Sequence, residues 1–283
     1  MASVFLISTE ACGLTTIYEE IYYMKKWISR ILILVCLVVF AYSAYQLIGY
    51  GLQTKRTQDN LNELSMMVNE GLTVDDSDKT PEERQADMMA KYGALYEENN
   101  DFIGWLKVEG TSIDYPVMYT PDDPQHYLRK NFDGDYDIAG MLFIDYRCQL
   151  DPEQMSTDTI IYGHRMKNDT MFAALGNYKE EDYVEAHKTV NFDTLYQSGT
   201  YEVFAVILSK AYNDNEDVFK YYDFVEAYTE EEFNTYLSEI QGLSIYYDEA
   251  AAPVWGDEIL TLSTCDYYIT DGRLAVICKR VGY

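Results

Sequence analysis

From Ile31 to Tyr50 the sequence runs for twenty residues, ILILVCLVVFAYSAYQLIGY, without one charged side chain. A helix of that length reaches about 30 Å, the thickness of the hydrocarbon core of a bilayer. Lys25, Lys26 and Arg30 precede the run and Trp27 sits at the expected interface. The positive-inside rule then puts the N-terminus in the cytoplasm and everything after Tyr50 outside, although Lys55 and Arg56 reduce the asymmetry. A cleaved signal peptide is the competing reading, with Ala41-Tyr42-Ser43 as its cleavage site. The apolar run continues past that site, which favours an uncleaved single-pass anchor with the folded domain on the extracellular side.

The rest of the chain is organised around that anchor. Met24-Lys25-Lys26 looks like the start of a charged n-region, so residues 1–23 are read as a mis-called N-terminal extension and 24–50 as n-region and anchor. Residues 51–92 are polar and acidic, and Pro81 ahead of Glu82 and Glu83 reads as a helix start, so this segment is expected to be a helical stalk. A compact domain is expected over 93–283. Strand-like runs recur in it at Trp105–Val108, Tyr115–Met118, Gly140–Ile144, Thr159–Tyr162, Tyr201–Ser209, Ile259–Ser263 and Leu274–Lys279. Seven or eight short strands imply a barrel or sandwich. Thr229–Leu243 departs from that pattern: Phe233, Tyr236, Leu237 and Ile240 fall at helical spacing, behind a Thr229/Glu232 capping box. The fold class is therefore mainly β with flanking helices, which suits a chain with 28 tyrosines.

Charge and cysteine usage narrow the function. A formal net charge of −27 is the opposite of a nucleic-acid footprint. The five cysteines include no CxxC pair and no Cys/His cluster, so no zinc, and no cofactor, is expected. Cys12 and Cys36 fall outside the folded region, and a pairing of Cys148 with Cys278 stays open.

Three residues stand where chemistry needs them. His164 follows Ile160-Ile161-Tyr162-Gly163, at the end of an apolar strand where Gly163 lets the chain turn. His126 and His187 sit in charged contexts and read as surface residues. Cys265 ends another apolar strand and is followed by Asp266, Tyr267 and Tyr268. Arg273 comes just after Asp271-Gly272, so a hairpin sets it beside Cys265. A thiol needs a base to become a nucleophile, an imidazole can take and return that proton, and a fixed guanidinium stabilises a developing oxyanion. Cys278 reads as structural, and Arg280 is the substitute for Arg273.

Thr261-Leu262-Ser263-Thr264-Cys265 resembles the TLxTC signature of sortases, and Tyr162-Gly163-His164 resembles the family's histidine segment. The order His, Cys, Arg agrees too. The segments DFIGWLKVEGTSIDYPV, FIDYRC, YGHRMKNDTMF and STCDY, with the helix at Thr229–Leu243, are similar to class B. The resemblance implies an eight-stranded sortase-type β-barrel and a cysteine transpeptidase. Such an enzyme cleaves a C-terminal sorting signal of secreted proteins and passes the acyl group to an amine of a peptidoglycan precursor or a pilin lysine. It implies Cys265 as nucleophile, His164 as acid and base, Arg273 at the oxyanion, and Ser263, Thr264 and Tyr162 as substrate-binding residues.

Two other readings compete. A membrane-anchored surface cysteine peptidase would use the same dyad and release its product to water. A surface adhesion or pilus-like domain would keep Cys265 as a structural residue. An L,D-transpeptidase is set aside because its Ser-His-Gly-x-Cys segment is absent.

Overall fold

The computed structural model describes residues 3–68, 79–151, 155–213, 215–266 and 271–282, with side chains in the first helix from residue 22 onward. It divides into two units, Met1–Arg56 and Thr57–Tyr283. The first unit is occupied by helix α1 (Ser3–Met67), which continues into the second. Among the described residues α1 is the one helix long and apolar enough to cross a membrane, and no part of its apolar window is buried. Residues 1 and 2 of the expected extension, and 69–78 of the expected stalk, lie outside the described residues.

The second unit is a mixed α/β fold. Its helices are α2 (Pro81–Glu98), α3 (Glu181–Ala186) and α4 (Glu230–Leu243). Its strands are β1 (Phe102–Lys107), β2 (Asp114–Met118), β3 (Leu142–Ile144), β4 (Asp158–Tyr162), β5 (Thr189–Thr194), β6 (Thr200–Lys210), β7 (Ser244–Tyr247), β8 (Ile259–Asp266) and β9 (Gly272–Gly282). They form one sheet in the order β5-β1-β2-β3-β4-β8-β9-β6-β7, and an extra β5–β6 pairing joins eight of them in a closed circuit. The ninth, β7, hangs on β6. The described sheet thus holds nine strands where seven or eight were expected. The two not anticipated are β5, whose Val190 and Phe192 alternate inward, and β7, a four-residue, half-exposed piece.

The compact unit begins at Thr57 rather than near residue 93, and the reason is burial. Leu61 and Leu64 at the end of α1 and Met88, Tyr92 and Leu95 on α2 all belong to the main core. Tyr92 stacks on Trp105 at 6.4 Å between ring centroids, and its hydroxyl donates to Asp193 at 2.7 Å. α2 starts where Pro81 places it, behind a reciprocal Thr80/Glu83 capping box. α4 likewise has the Thr229/Glu232 box. Its buried Phe233, Tyr236 and Ile240 join Phe204, Ile207, Ala275 and Ile277 in a second apolar cluster.

Two pairings set the site. β4 and β8 run parallel, with Tyr162 opposite Ser263, and β8 and β9 run antiparallel, with Cys265 opposite Arg273. The parallel pair aligns the C-terminal tips of two strands distant in sequence, where side chains can leave the core without breaking the ladder.

Candidate active site

Cys265 is half-buried beyond a run of six buried residues, Ile259 to Thr264. Directly across the ladder, Arg273 points its Nη1 at the Cys265 sulfur, 3.6 Å away, and also donates to the Gly272 carbonyl at 3.1 Å. The expected hairpin geometry is present, but Gly272 already pairs with Asp266 and Lys210 in the sheet. The left-handed backbone conformation falls on Asp271 instead, with φ 56°, which an aspartate tolerates better than most residues. Tyr267 and Tyr268 lie outside the described residues. Arg280 sits at the far end of β9, bound to Glu258 at 2.6 Å and to the Ser198 carbonyl at 2.7 Å, so it is no substitute for Arg273.

His164 stands one residue past the last backbone link of β4 to β8, where the Gly163 amide donates to the Ser263 carbonyl at 3.2 Å. Gly163 is needed for packing rather than for a turn: a Cβ there would come within 2.4 Å of Leu142 and 2.7 Å of Phe172. The His164 Nε2 lies 2.8 Å from the Leu128 carbonyl oxygen, which can only accept, so Nε2 carries the proton. Burial pushes the imidazole pKa down, the Leu128 bond pushes it up, and the nearby Arg129 charge pushes it down again; the net direction is down. Desolvation disfavours the charged ring, so the neutral form gains.

His164, Cys265 and Arg273 line one cleft of about 360 Å³ with Leu128, Phe143 and Tyr162. Ser263 and Thr264 line it too, but their hydroxyls are engaged within the protein. Ser263 Oγ pairs with the buried Tyr221 hydroxyl at 2.7 Å, and Thr264 donates to the Gly163 carbonyl at 2.8 Å. Tyr162 donates to Asp145 at 2.9 Å. Asp145 is gripped by Arg147 through Nε at 2.9 Å and Nη2 at 2.8 Å. Burial would raise the Asp145 pKa, but the Arg147 bonds outweigh it and hold the carboxyl below its ordinary value. This Asp145–Arg147 fork, Tyr221 and the Leu128 carbonyl are site components that sequence reasoning missed. Only Asp145 and Arg147 left a visible trace, inside the FIDYRC segment.

The other described residues of the same chemical types are placed elsewhere. Cys148 and Cys278 are buried and unpaired, which closes the open disulfide. Burial pushes the Cys148 thiol up to about 12 and that of Cys278 well above its usual range. His126 and His187 sit at the surface, partly exposed: His126 pairs with Asp123 at 3.0 Å, and His187 Nδ1 lies 2.9 Å from the Glu109 carbonyl.

Comparison with known proteins agrees with this geometry. The sortase domain model matches residues 106–281. Sortase B of Listeria monocytogenes is 30% identical over 243 residues, covering 86% of this chain and 92% of that protein. Sortase B of Staphylococcus aureus is 26% identical over 260 residues, covering 90% and 97%. The crystal structure of B. anthracis sortase B superposes with a TM-score of 0.66 at 28% identity, covering 82% of this chain and all of that one. A matched domain that spans most of the folded unit, together with a thiol, an imidazole and a guanidinium in one cleft, establishes that the chain belongs to the sortase family.

Proposed function

We propose that this chain is a membrane-anchored, class B-like sortase: a cysteine transpeptidase that cleaves a C-terminal sorting signal and passes the acyl group to an amine of cell-wall peptidoglycan or a pilin lysine. The observation that carries the reading is the pairing of Cys265 with Arg273, 3.6 Å apart, at the mouth of a cleft that His164 also lines. Cys265 attacks the carbonyl carbon of a threonine, and His164 takes the thiol proton through Nδ1 and delivers it to the departing amine. The thioester that remains is attacked by an incoming amine, and His164 takes that amine's proton and returns it to the departing sulfur, so that Cys265 leaves as the free thiol. Arg273 faces the carbonyl oxygen as it gains charge, where a fixed cation in a poorly solvated cleft acts without reorganising. Ser263, Thr264 and Tyr162 form the substrate-binding wall, held in shape by Tyr221, Gly163 and Asp145.

The closed eight-strand circuit is read as the sortase-type barrel and α1 as a single transmembrane anchor, with the cleft on the extracellular side. Exposing α1's apolar side chains to water would cost about 25 cal/mol per Å², a term that lipid removes. The test incubates the full-length chain, in detergent, with a library of sorting-signal peptides and follows intact mass. An acyl adduct on Cys265 that resolves to an amide in proportion to added triglycine supports the reading. Hydrolysis at a rate indifferent to the amine selects the peptidase instead, and a thiol that never acylates removes both.

A further inference from the structure

Behind the cleft, the residue after each member of the dyad is tied to the other. Arg165 follows His164 and Asp266 follows Cys265, and the Arg165 Nη1 lies 3.6 Å from the Asp266 Oδ2. Lys179, at the end of the short helix Phe172–Lys179, is ion-paired with the same oxygen. The Asp266 side chain is 1% exposed, and those of Arg165 and Lys179 are 19% and 20% exposed. Gly176 provides the room: a Cβ there would sit 2.3 to 2.7 Å from the Arg165 guanidinium.

The placement follows from the register. β4 and β8 pair in parallel up to Tyr162 and Ser263, and the ladder ends with the Gly163 amide on the Ser263 carbonyl. One step on, Thr264 donates to the Gly163 carbonyl. Two steps further, the Arg165–Asp266 ion pair continues the same row of links after backbone pairing has stopped. His164 and Cys265 are therefore bracketed, joined before by Thr264–Gly163 and after by Asp266–Arg165. Strand alternation aims Asp266 away from the cleft that Cys265 faces. The Phe172 amide, donating to the His164 carbonyl at 3.0 Å, fixes the histidine's backbone from the same side.

We infer that Arg165, Asp266 and Lys179 form a positioning clamp that holds His164 at working distance from Cys265, with Asp266 as its centre. The inference rests on the transpeptidase reading, because its meaning is alignment for proton transfer. A buried carboxylate shared by two cations is a rigid joint: it cannot be given up without leaving charge unpaired in a low-dielectric interior. Small misalignments of reacting groups are expensive for the rate.

The test compares Asp266→Asn, Lys179→Met and Gly176→Ala in the full-length chain. Gly176→Ala keeps all three charges and only displaces the tip of a flexible arginine, so it covers the case in which Asp266→Asn fails to fold. The expected result is a fall in kcat of about 10- to 100-fold with KM for a cleavable sorting-signal peptide held within about twofold. In the His164→Ala background, Asp266→Asn should change residual turnover by less than about twofold, since the partner it aligns is gone. A kcat within about twofold of wild type in Asp266→Asn and Gly176→Ala, or an undiminished effect of Asp266→Asn without His164, overturns the clamp while the transpeptidase stands. A wild-type chain that acylates no sorting-signal peptide overturns the transpeptidase, and the clamp with it.

Discussion

The His164 ring is committed through Nε2 to the carbonyl of Leu128 at 2.8 Å, which leaves Nδ1 as the nitrogen that would exchange a proton with Cys265 in the proposed reaction. The imidazole pKa is lowered, first by burial, then by Arg129 against the opposing Leu128 bond. Acylation needs the neutral ring as base, so activity should persist as pH falls past the ordinary imidazole value of about 6.5 and be lost only below it. Single-turnover acylation of Cys265 across pH 4 to 9 measures this (the range spans about 2.5 units either side). An acid limb centred above the ordinary value refutes it. Stability carries the same sign. The unfolded chain binds this proton more readily, so the His164 contribution is present at neutral pH and declines on acidification through that region.

Gly140 should matter to the same ring. Its φ is 59°, and a Cβ there would lie 2.5 Å from the Tyr127 carbonyl oxygen and 2.7 Å from that of Leu128. Gly140→Ala must move the carbonyl that orients His164. The expectation is a loss of about 1 kcal/mol or more in urea denaturation, with a fall in kcat larger than that stability loss explains. Unchanged kinetics in a folded variant would detach Leu128 from catalysis.

The three chemical groups of the cleft predict graded losses. Cys265→Ala should abolish acyl-enzyme formation. His164→Ala should cost on the order of 10²-fold or more in kcat/KM. Arg273→Lys keeps a charge but loses the planar guanidinium whose Nη1 reaches both the Cys265 sulfur and the Gly272 carbonyl, and should lower kcat more than it raises KM. Near-wild-type turnover in Arg273→Lys would require another oxyanion partner.

Asp158 lies far from the cleft, fully buried at the start of β4. Its Oδ2 accepts from Thr261 at 2.8 Å and Tyr236 at 3.2 Å, and its Oδ1 has no hydrogen-bond partner. Burial pushes its pKa up to about 7. The sign is opposite to that of an ion-paired carboxylate. Folding favours the protonated acid, so this stabilisation is complete below the unfolded value of about 3.9 and is lost as pH rises through the folded one. Asp158→Asn keeps the shape without ionising. Its stability relative to wild type should grow between pH 4 and 7, by on the order of 1 kcal/mol or more, and then level off. Urea titrations at several pH values decide it, and a pH-independent difference contradicts it.

Truncation tests where the domain starts. A chain beginning at Thr57 retains Leu61, Leu64, Met88 and Tyr92 in the core, whereas one beginning at residue 93 loses all four. Each large apolar side chain removed forfeits about 1.5 to 3 kcal/mol. The shorter chain should therefore melt well below the longer one or fail to fold cooperatively, as thermal unfolding by circular dichroism will show. Equal melting temperatures would restore the stalk reading.

The legible parts of this molecule were those written in local pattern. The long apolar helix, the helix start at Pro81, the capping box at Thr229, seven strand cores and the tips bearing His164, Cys265 and Arg273 could each be read from short windows. What stayed hidden depends on non-local contact. The apolar stripe Met88, Tyr92, Leu95 has helical spacing, but the acidic residues around it gave the segment the look of a solvated spacer. Leu128 acts through a backbone carbonyl that any residue would carry. The role of Gly163 follows from Leu142 and Phe172, which only the folded chain brings to it.

The parallel pairing of β4 with β8 also sets an order of events. The imidazole-bearing strand is followed by about a hundred residues before the thiol-bearing strand arrives to lie beside it, and β9 must come after that to cover the thiol strand's other edge. Contacts so distant in sequence close late. For a polypeptide whose N-terminus stays inside while the residues after its anchor cross in order, the earlier strands are already outside while the strand bearing Cys265 is still being threaded. In a chain read as an anchored sortase, the cleft is therefore incomplete until the final two strands dock.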